Sequence, residues 1–343
     1  MKKLFFLFLA TTFISSLSFA TILRVGYKGP IISGVDYANL QSAYDAATIG
    51  DTLMFYPGSY NMGQSDKRLV FLGYGYFLSG TGSNANLQNI TGDLNISLQM
   101  NAPSSGSIFE GIQTLSVTTY FGESVNDVTI RRCGGSFGIF SSPGTTCNNW
   151  KIIQCTNAYI SPSWSGGKAT NFQVHNSIIK GYGLSGSEHI GIFNNCYFES
   201  IGVNISNSGI MFQNCIFQGN SVSAFSNAIF QNCLFDIANP GLTGTNNQFE
   251  IKFGGQFGNS NTVFVGHPIA LAGETEDGKY KLKPGSPAIG AGIGGIDLGI
   301  FGGVNPYRLS GIPSIPTIYK LEASSLNATT NPYTITFSTR SNN

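Results

Sequence analysis

Ile192 to Ser200 reads "IFNNCYFES", and the same frame returns as "MFQNCIFQG" from Met211 to Gly219 and as "IFQNCLFDI" from Ile229 to Ile237. Each copy sets Asn directly before Cys and Phe two places after it. Cys196, Cys215 and Cys233 lie 19 and 18 residues apart. Upstream, the frame continues through "TIRRCGG" (Cys133), "IIQCTN" (Cys155) and "VHNSII", where Ser177 fills the cysteine slot, at steps of 22, 22 and 19 residues. A repeat of this period builds a solenoid from stacked units.

Within a rung, apolar and polar residues alternate with a period of two, as on a strand. Phe193 and Phe198 are apolar, Asn194 and Glu199 are polar, and Cys196 shares the inward face with Phe198. Asn195 interrupts the alternation by one residue. Asn tolerates the left-handed backbone region better than most residues, so Asn195 reads as a bend joining two short strands. Asn176, Asn214 and Asn232 occupy the same position. A second polar turn column, six residues before the cysteine frame, holds Asp127, Asn149, Asn171 and Asn227.

Strand, bend, strand and turn, repeated every 18 to 22 residues, predict an all-β chain wound as a single-stranded right-handed parallel β-helix. Adjacent coils, roughly 4.8 Å apart, bury each other's inward columns, and stacked Asn amides are expected to pair from coil to coil. At about twenty residues per coil, the span from Thr52 to Asp297 accommodates roughly ten to twelve coils.

The 343 residues carry a formal net charge of +1, and only 10% are charged. No basic stripe suggests a nucleic-acid partner. Residues 1–20 begin with Lys2 and Lys3, continue with an apolar run from Leu4 to Ile14 and end on Ser18-Phe19-Ala20. This pattern reads as a bacterial secretory signal cleaved after Ala20, the apolar run being too short for a bilayer span. The expected product is secreted or cell-surface, with no membrane span. Residues 21–304 are assigned to the β-helix. Residues 305–343 form a Pro-rich connector and a small C-terminal β tail in which "YTITFSTR" (Tyr333 to Arg340) alternates as a strand.

The rung pattern resembles the pectin-lyase-like superfamily of right-handed β-helix proteins. "VDYANLQSAYDAATIGDTLMFYPGSYN" (Val35 to Asn61) is similar to that superfamily's opening: a short capping helix at about 37–48, then Gly-Asp, a strand and Pro-Gly-x-Tyr. Leu40, Ala43, Tyr44 and Ala47 give the helix an apolar face. "YKLKPGSPAIGAGIGGIDLGIFGG" (Tyr280 to Gly303) is similar to its closing segment. The resemblance implies the fold and admits polysaccharide lyases and glycosidases.

Five of the six cysteines share the inward slot and Cys147 falls outside it. Ser177 in that slot shows that no bonding partner is needed there, so a ladder of buried, mostly reduced thiols is expected. Between Asp127 and Asp236 the acids are Glu188 and Glu199 alone. The Asp cluster of calcium-dependent members, the RxPxxR lyase motif and the paired carboxylates of a hydrolase are not found, and neither metal nor calcium is expected. The catalytic candidates are Glu188, His189 and Lys168.

A more informative pattern lies one place after the cysteine frame. There the outward column Ile178, Tyr197, Ile216 and Leu234 is apolar where polar residues belong. Such a stripe is either covered, by an internal loop or the Pro-rich tail, or used for contact. Beside it runs Lys180, Glu199, Gln218, Asp236. Ligand-contact candidates are therefore Tyr197, Ile178, Ile216, Leu234, Lys180 and Glu199. The function expected is non-catalytic contact with glycans or another surface component through a lateral sheet face. The alternatives are a lyase or hydrolase acting on acidic polysaccharide, and a structural stalk or adhesin.

Overall fold

A computed structural model describes residues 20–78, 92–139, 143–162, 167–182, 189–199, 209–219, 228–239, 241–251, 261–272, 274–323 and 335–340. The expected signal segment, apart from Ala20, lies outside the described residues. So do Glu188 and the turn residue Asn227.

The chain is a right-handed parallel β-helix. Its strands stack into a twelve-stranded sheet and a nine-stranded sheet. Each described coil gives one strand to the first sheet, bends, and gives the next to the second. Thus Gly191–Asn194 pairs with Phe172–His175 before it and Ile210–Gln213 after it. Tyr197–Phe198 pairs in parallel with Ile178–Tyr182 and Ile216–Phe217. Among the described residues nine coils give a strand to both sheets, and the larger sheet ends at Gly244–Thr245, well short of the expected end at Asp297.

The bends explain the repeat. Asn176, Asn195, Asn214 and Asn232 all have positive φ, between 46° and 54°, and Arg132 and Gln154 take the same conformation in earlier coils. Positive φ also marks Asp127, Asn149 and Asn171 in the second turn column. Either side of each bend the inward residues stack. Phe212 lies 5.0 Å from Phe193 and 4.8 Å from Phe230, and Phe217 lies 4.5 Å from Phe198 and 4.8 Å from Phe235, all near-parallel. Aromatic pairs at these separations add to the stabilisation from area burial alone. All six cysteines are free and buried, and Ser177 Oγ accepts from the Cys155 amide at 3.0 Å.

The N-terminal end of the stack is plugged by the helix Leu40–Ala46, shorter than its expected span, with Asn39 capping the Ser42 amide at 2.9 Å. Its expected apolar face, Leu40, Ala43, Tyr44 and Ala47, is buried in the main core.

Residues 261–272 and 274–312 differ from the coils expected there. They form a strap of turns and short 3-10 segments that runs back along the stack, from its C-terminal coils toward its N-terminal ones. The bend side chains hold it. Asn232 Nδ2 donates to the Ala291 carbonyl, Asn214 Oδ1 accepts from the Ile293 amide, and Asn195 Nδ2 donates to the carbonyls of Asp297 and Gly299. Asn176 Nδ2 reaches Ile300 and Gly302, Gln154 Nε2 reaches Pro306, and Arg132 donates to Ile312. The expected amide ladder between coils is largely replaced by this arrangement, because backbone groups of the strap lie within reach of each bend. Coil-to-coil pairing persists in the other column, where Asn149 Nδ2 donates to Asp127 Oδ1 at 2.6 Å, and between the bends at Arg132, whose Nε donates to Gln154 Oε1 at 2.7 Å.

Beyond the strap, Thr317–Ala323 and Ile335–Arg340 pair antiparallel as a two-stranded sheet. Among the described residues no helix is long and apolar enough to cross a membrane.

Candidate functional site

The strap decides which outward residues meet solvent. Ile178, Tyr197, Ile216 and Leu234 pair in register along the nine-stranded sheet, and each is at most 1% exposed. They pack with Val263, Phe264, Tyr280, Ala288, Leu298 and Ile300 in a second core. These four contact candidates are therefore corrected: they are the foundation of the strap and are closed to a ligand. The cover comes from residues 263–307, largely ahead of the Pro-rich tail.

The next outward column emerges at the strap's edge. Lys180 Nζ stands 3.6 Å from Glu199 Oε2, so the structure does bring these two candidates together. They line a cleft with Thr156 and Asn157 of the sheet, Phe77, and Glu276, Asp277, Lys279 and Tyr280 of the strap. Asn157 and Lys180 both lie where the register shifts by one residue against the strand before. Such bulges re-aim side chains locally. Tyr280 hydroxyl approaches Glu199 Oε1 at 3.4 Å, and burial first, then the neighbouring carboxylates, push its pKa well up. Asp277 is buried, and its carboxylate accepts from the Tyr307 hydroxyl at 3.1 Å and the Ser310 amide at 2.6 Å. Burial raises its pKa as well.

A second cleft, lined by Tyr74, Phe77, Leu78, Asp93 and Gln113, shares Phe77 with the first. Gln113 Nε2 donates to Asp93 Oδ1 at 2.7 Å, and Tyr74 hydroxyl donates to the Gly92 carbonyl at 2.9 Å. Burial pushes the Tyr74 phenol up to about 12.

Away from the strap, the outer face of the nine-stranded sheet is open and polar. Ser97, Ser116 and Ser136 follow one another in register and lead to Tyr159, which is 51% exposed. Asn95 with Thr114, and Gln99 with Thr118, run beside them. Gly181 is next in register, and a Cβ there would sit 2.4 Å from the Tyr159 ring. Side-chain-free backbone thus lets that ring lie across the sheet.

The catalytic candidates do not join this site. Lys168 is exposed on Lys168–Thr170, which pairs with Thr146–Asn148 in a separate two-stranded sheet. His189 is fully buried, its Nδ1 accepting from the Ala169 amide at 3.1 Å, and neither residue lines either cleft. The frame of the repeat reads His189 as a solvated turn residue; the position is instead interior, filled by a ring that satisfies a backbone donor. His175 lies in a polar outward column, in register with Asn194, Gln213 and Gln231. Among the described residues, no three His, Cys, Asp or Glu side chains are grouped to hold a metal ion.

Burial depresses the His189 pKa below its ordinary value. The unfolded chain then binds more protons than the folded one below about pH 6.5, so stability falls as pH drops through that point. His175, lowered by burial and by Lys151, acts in the same direction. Urea unfolding of His189→Gln at pH 7 and pH 5 is expected to show a smaller acid-induced loss than the parent. An unchanged loss would show that the ring is solvated.

No known protein family matches the chain, and no curated protein matches it. Among solved structures, a pectate lyase aligns over 84% of this chain and 97% of its own, at 13% identity and a TM-score of 0.40. A pectin methylesterase from Aspergillus niger aligns over 68% and 87%, at 14% identity and a TM-score of 0.34. Likeness at this level carries no argument about activity or substrate.

Together the two clefts and the open face offer hydroxyl, amide and ion-paired groups beside exposed ring surface. That arrangement suits hydrogen bonding to a hydroxyl-rich chain.

Proposed function

We propose that the protein is exported to the cell surface or beyond and contacts glycans, without transforming them, through the lateral face of its nine-stranded sheet. The observation that carries this reading is Tyr159: a large ring exposed at the end of a serine column, beside the cleft of Asn157, Lys180 and Glu199. Exposed aromatic rings supply apolar contact at low conformational cost, and flanking Ser, Thr, Asn and Gln supply hydrogen bonds to hydroxyls. The acids at the cleft are engaged by Lys180, Lys279, Tyr307 and Ser310. This favours binding over acid–base chemistry.

Glycan-array profiling of the full chain, followed by calorimetry on the ligands found, tests the reading. Tyr159→Ala is expected to weaken binding about tenfold, the loss of ~1.4 kcal/mol that a central contact residue supplies. Its fold should be untouched, since the ring is half exposed. A rise in ultraviolet absorbance on incubation with uronate polymers would replace this reading by a lyase. Silence on the array would leave a structural stalk.

A further inference from the structure

The groove at the strap's edge has a charge pattern that discriminates among glycans. Its two clefts meet at Phe77 and extend from Asp93 and Gln113, beside the strand Leu94–Met100, to Glu199, just beyond the strand Tyr197–Phe198. Asp93 and Glu199 belong to coils five steps apart, about 24 Å at the spacing of hydrogen-bonded strands. That length suits an oligosaccharide segment lying along the stack.

Among the described residues the ammonium groups along this line are Lys180 and Lys279, and each is already in contact with a carboxylate. Lys180 faces Glu199 at 3.6 Å and Lys279 is paired with Glu276. Asp93 adds a further carboxylate at the other end, held by the Gln113 amide, and Asp277 is buried behind. The carboxylates outnumber the ammonium groups. An incoming uronate would have to break an existing ion pair and would still face like charge, which disfavours the wrong partner strongly.

The remaining lining is uncharged: Tyr74, Phe77, Leu78, Gln113, Thr156, Asn157 and Tyr280. Phe77 is the divider, and its backbone sits at φ 52°. Left-handed backbone costs a side-chain-bearing residue about 1–2 kcal/mol, and strain of this kind concentrates at ligand clamps. Packing holds it in place: Tyr76 meets the Phe77 ring edge-on at 5.1 Å, and its own hydroxyl bonds Tyr307 of the strap at 2.6 Å. The strained residue thus presents a partly exposed ring to both clefts.

We infer that this groove takes an uncharged glycan, one of hexose or N-acetylhexosamine units, in preference to a polyuronate, with Phe77 as the ring on which a sugar face rests. The inference rests on the glycan-contact reading above and adds the class of glycan to it.

Calorimetric titration of the full chain with size-matched neutral oligosaccharides (gluco-, galacto-, manno- and N-acetylglucosamine oligomers) and with oligogalacturonate and alginate oligomers tests it. The best neutral ligand is expected to bind at least tenfold more tightly than either uronate, with little dependence on salt. Phe77→Ala should lower that affinity about tenfold while Phe77→Tyr retains it. Glu199→Gln, which releases Lys180 from its carboxylate, should raise uronate affinity, and it provides an independent reading if Phe77→Ala does not fold. Tighter, salt-sensitive uronate binding by the parent would overturn this inference and leave glycan contact standing. Unchanged uronate affinity in Glu199→Gln would overturn the charge argument. Binding to neither class would overturn the glycan reading, and this inference with it.

Discussion

Tyr197→Ala is expected to lower folding stability by about 3–5 kcal/mol, the cost of removing a fully buried aromatic ring from a packed core. The ring is 1% exposed and sits between sheet and strap, 4.6 Å from Tyr280 and 5.4 Å from Phe264. Its hydroxyl bonds Gln218 and approaches His267 Nε2 at 3.2 Å. Truncation therefore removes packing and strands polar partners together. Tyr197→Phe separates the two, since it keeps the ring and should cost only about 1 kcal/mol for the lost hydrogen bonds. Urea unfolding measures both, and a dye that reports exposed apolar surface should bind the Ala variant more strongly. A loss below about 1 kcal/mol, the range of ordinary substitutions, with no gain in dye binding, would show that the strap does not pack on this face in solution.

Asn195→Ala attacks the same junction through the backbone. Alanine at φ 53° costs about 1–2 kcal/mol that asparagine largely avoids. The two bonds to the Asp297 and Gly299 carbonyls, at 2.9 and 3.1 Å, contribute about 1–2 kcal/mol more between them. A total loss of roughly 2–4 kcal/mol follows from these terms. Asn195→Gly keeps the bend and loses only the amide, so it should be the milder variant. Equal destabilisation by Ala and Gly, measured by urea unfolding, would mean that the bend carries no backbone demand and that only the amide matters.

These two positions also show what could be read in advance. The bend at Asn195 was legible because its conformation is local and the residue type reports it. The inward cysteines and phenylalanines were legible because a period-two pattern repeated over many coils leaves one buried face. Lys180 and Glu199 were legible as neighbours in one column, because successive coils place the same column side by side. The strap was not legible, since its bonds join residues as far apart as Asn232 and Ala291, or Arg132 and Ile312. Its glycines hint at a close approach without naming what approaches. A Cβ on Gly302 would sit 2.6 Å from Asn195 Nδ2, and one on Gly299 would sit 2.8 Å from Ile216 Cδ1. The apolar outward column gave the clue that something covers it but not which segment. Tyr280, Lys279 and Phe77 enter the groove only through that long-range packing, so no sequence pattern placed them there.

The bend-to-strap bonds have a consequence for how the molecule can change length. A solenoid held only by neighbour contacts gains or loses a unit with little effect on the rest. Here a single segment touches a bend in each of six coils, in reverse order, from Asn232 to Arg132. Adding or deleting one coil between those points would slide every later contact by one strand spacing, and the strap would meet its bends out of phase. The strap therefore works as a tally stick, notched once per coil, that fixes the number of turns between Arg132 and Asn232. Outside that interval other residues take over, with Gln248 reaching the Pro287 carbonyl and the Tyr76 amide donating to the Ser310 carbonyl, so the notches continue beyond the bends.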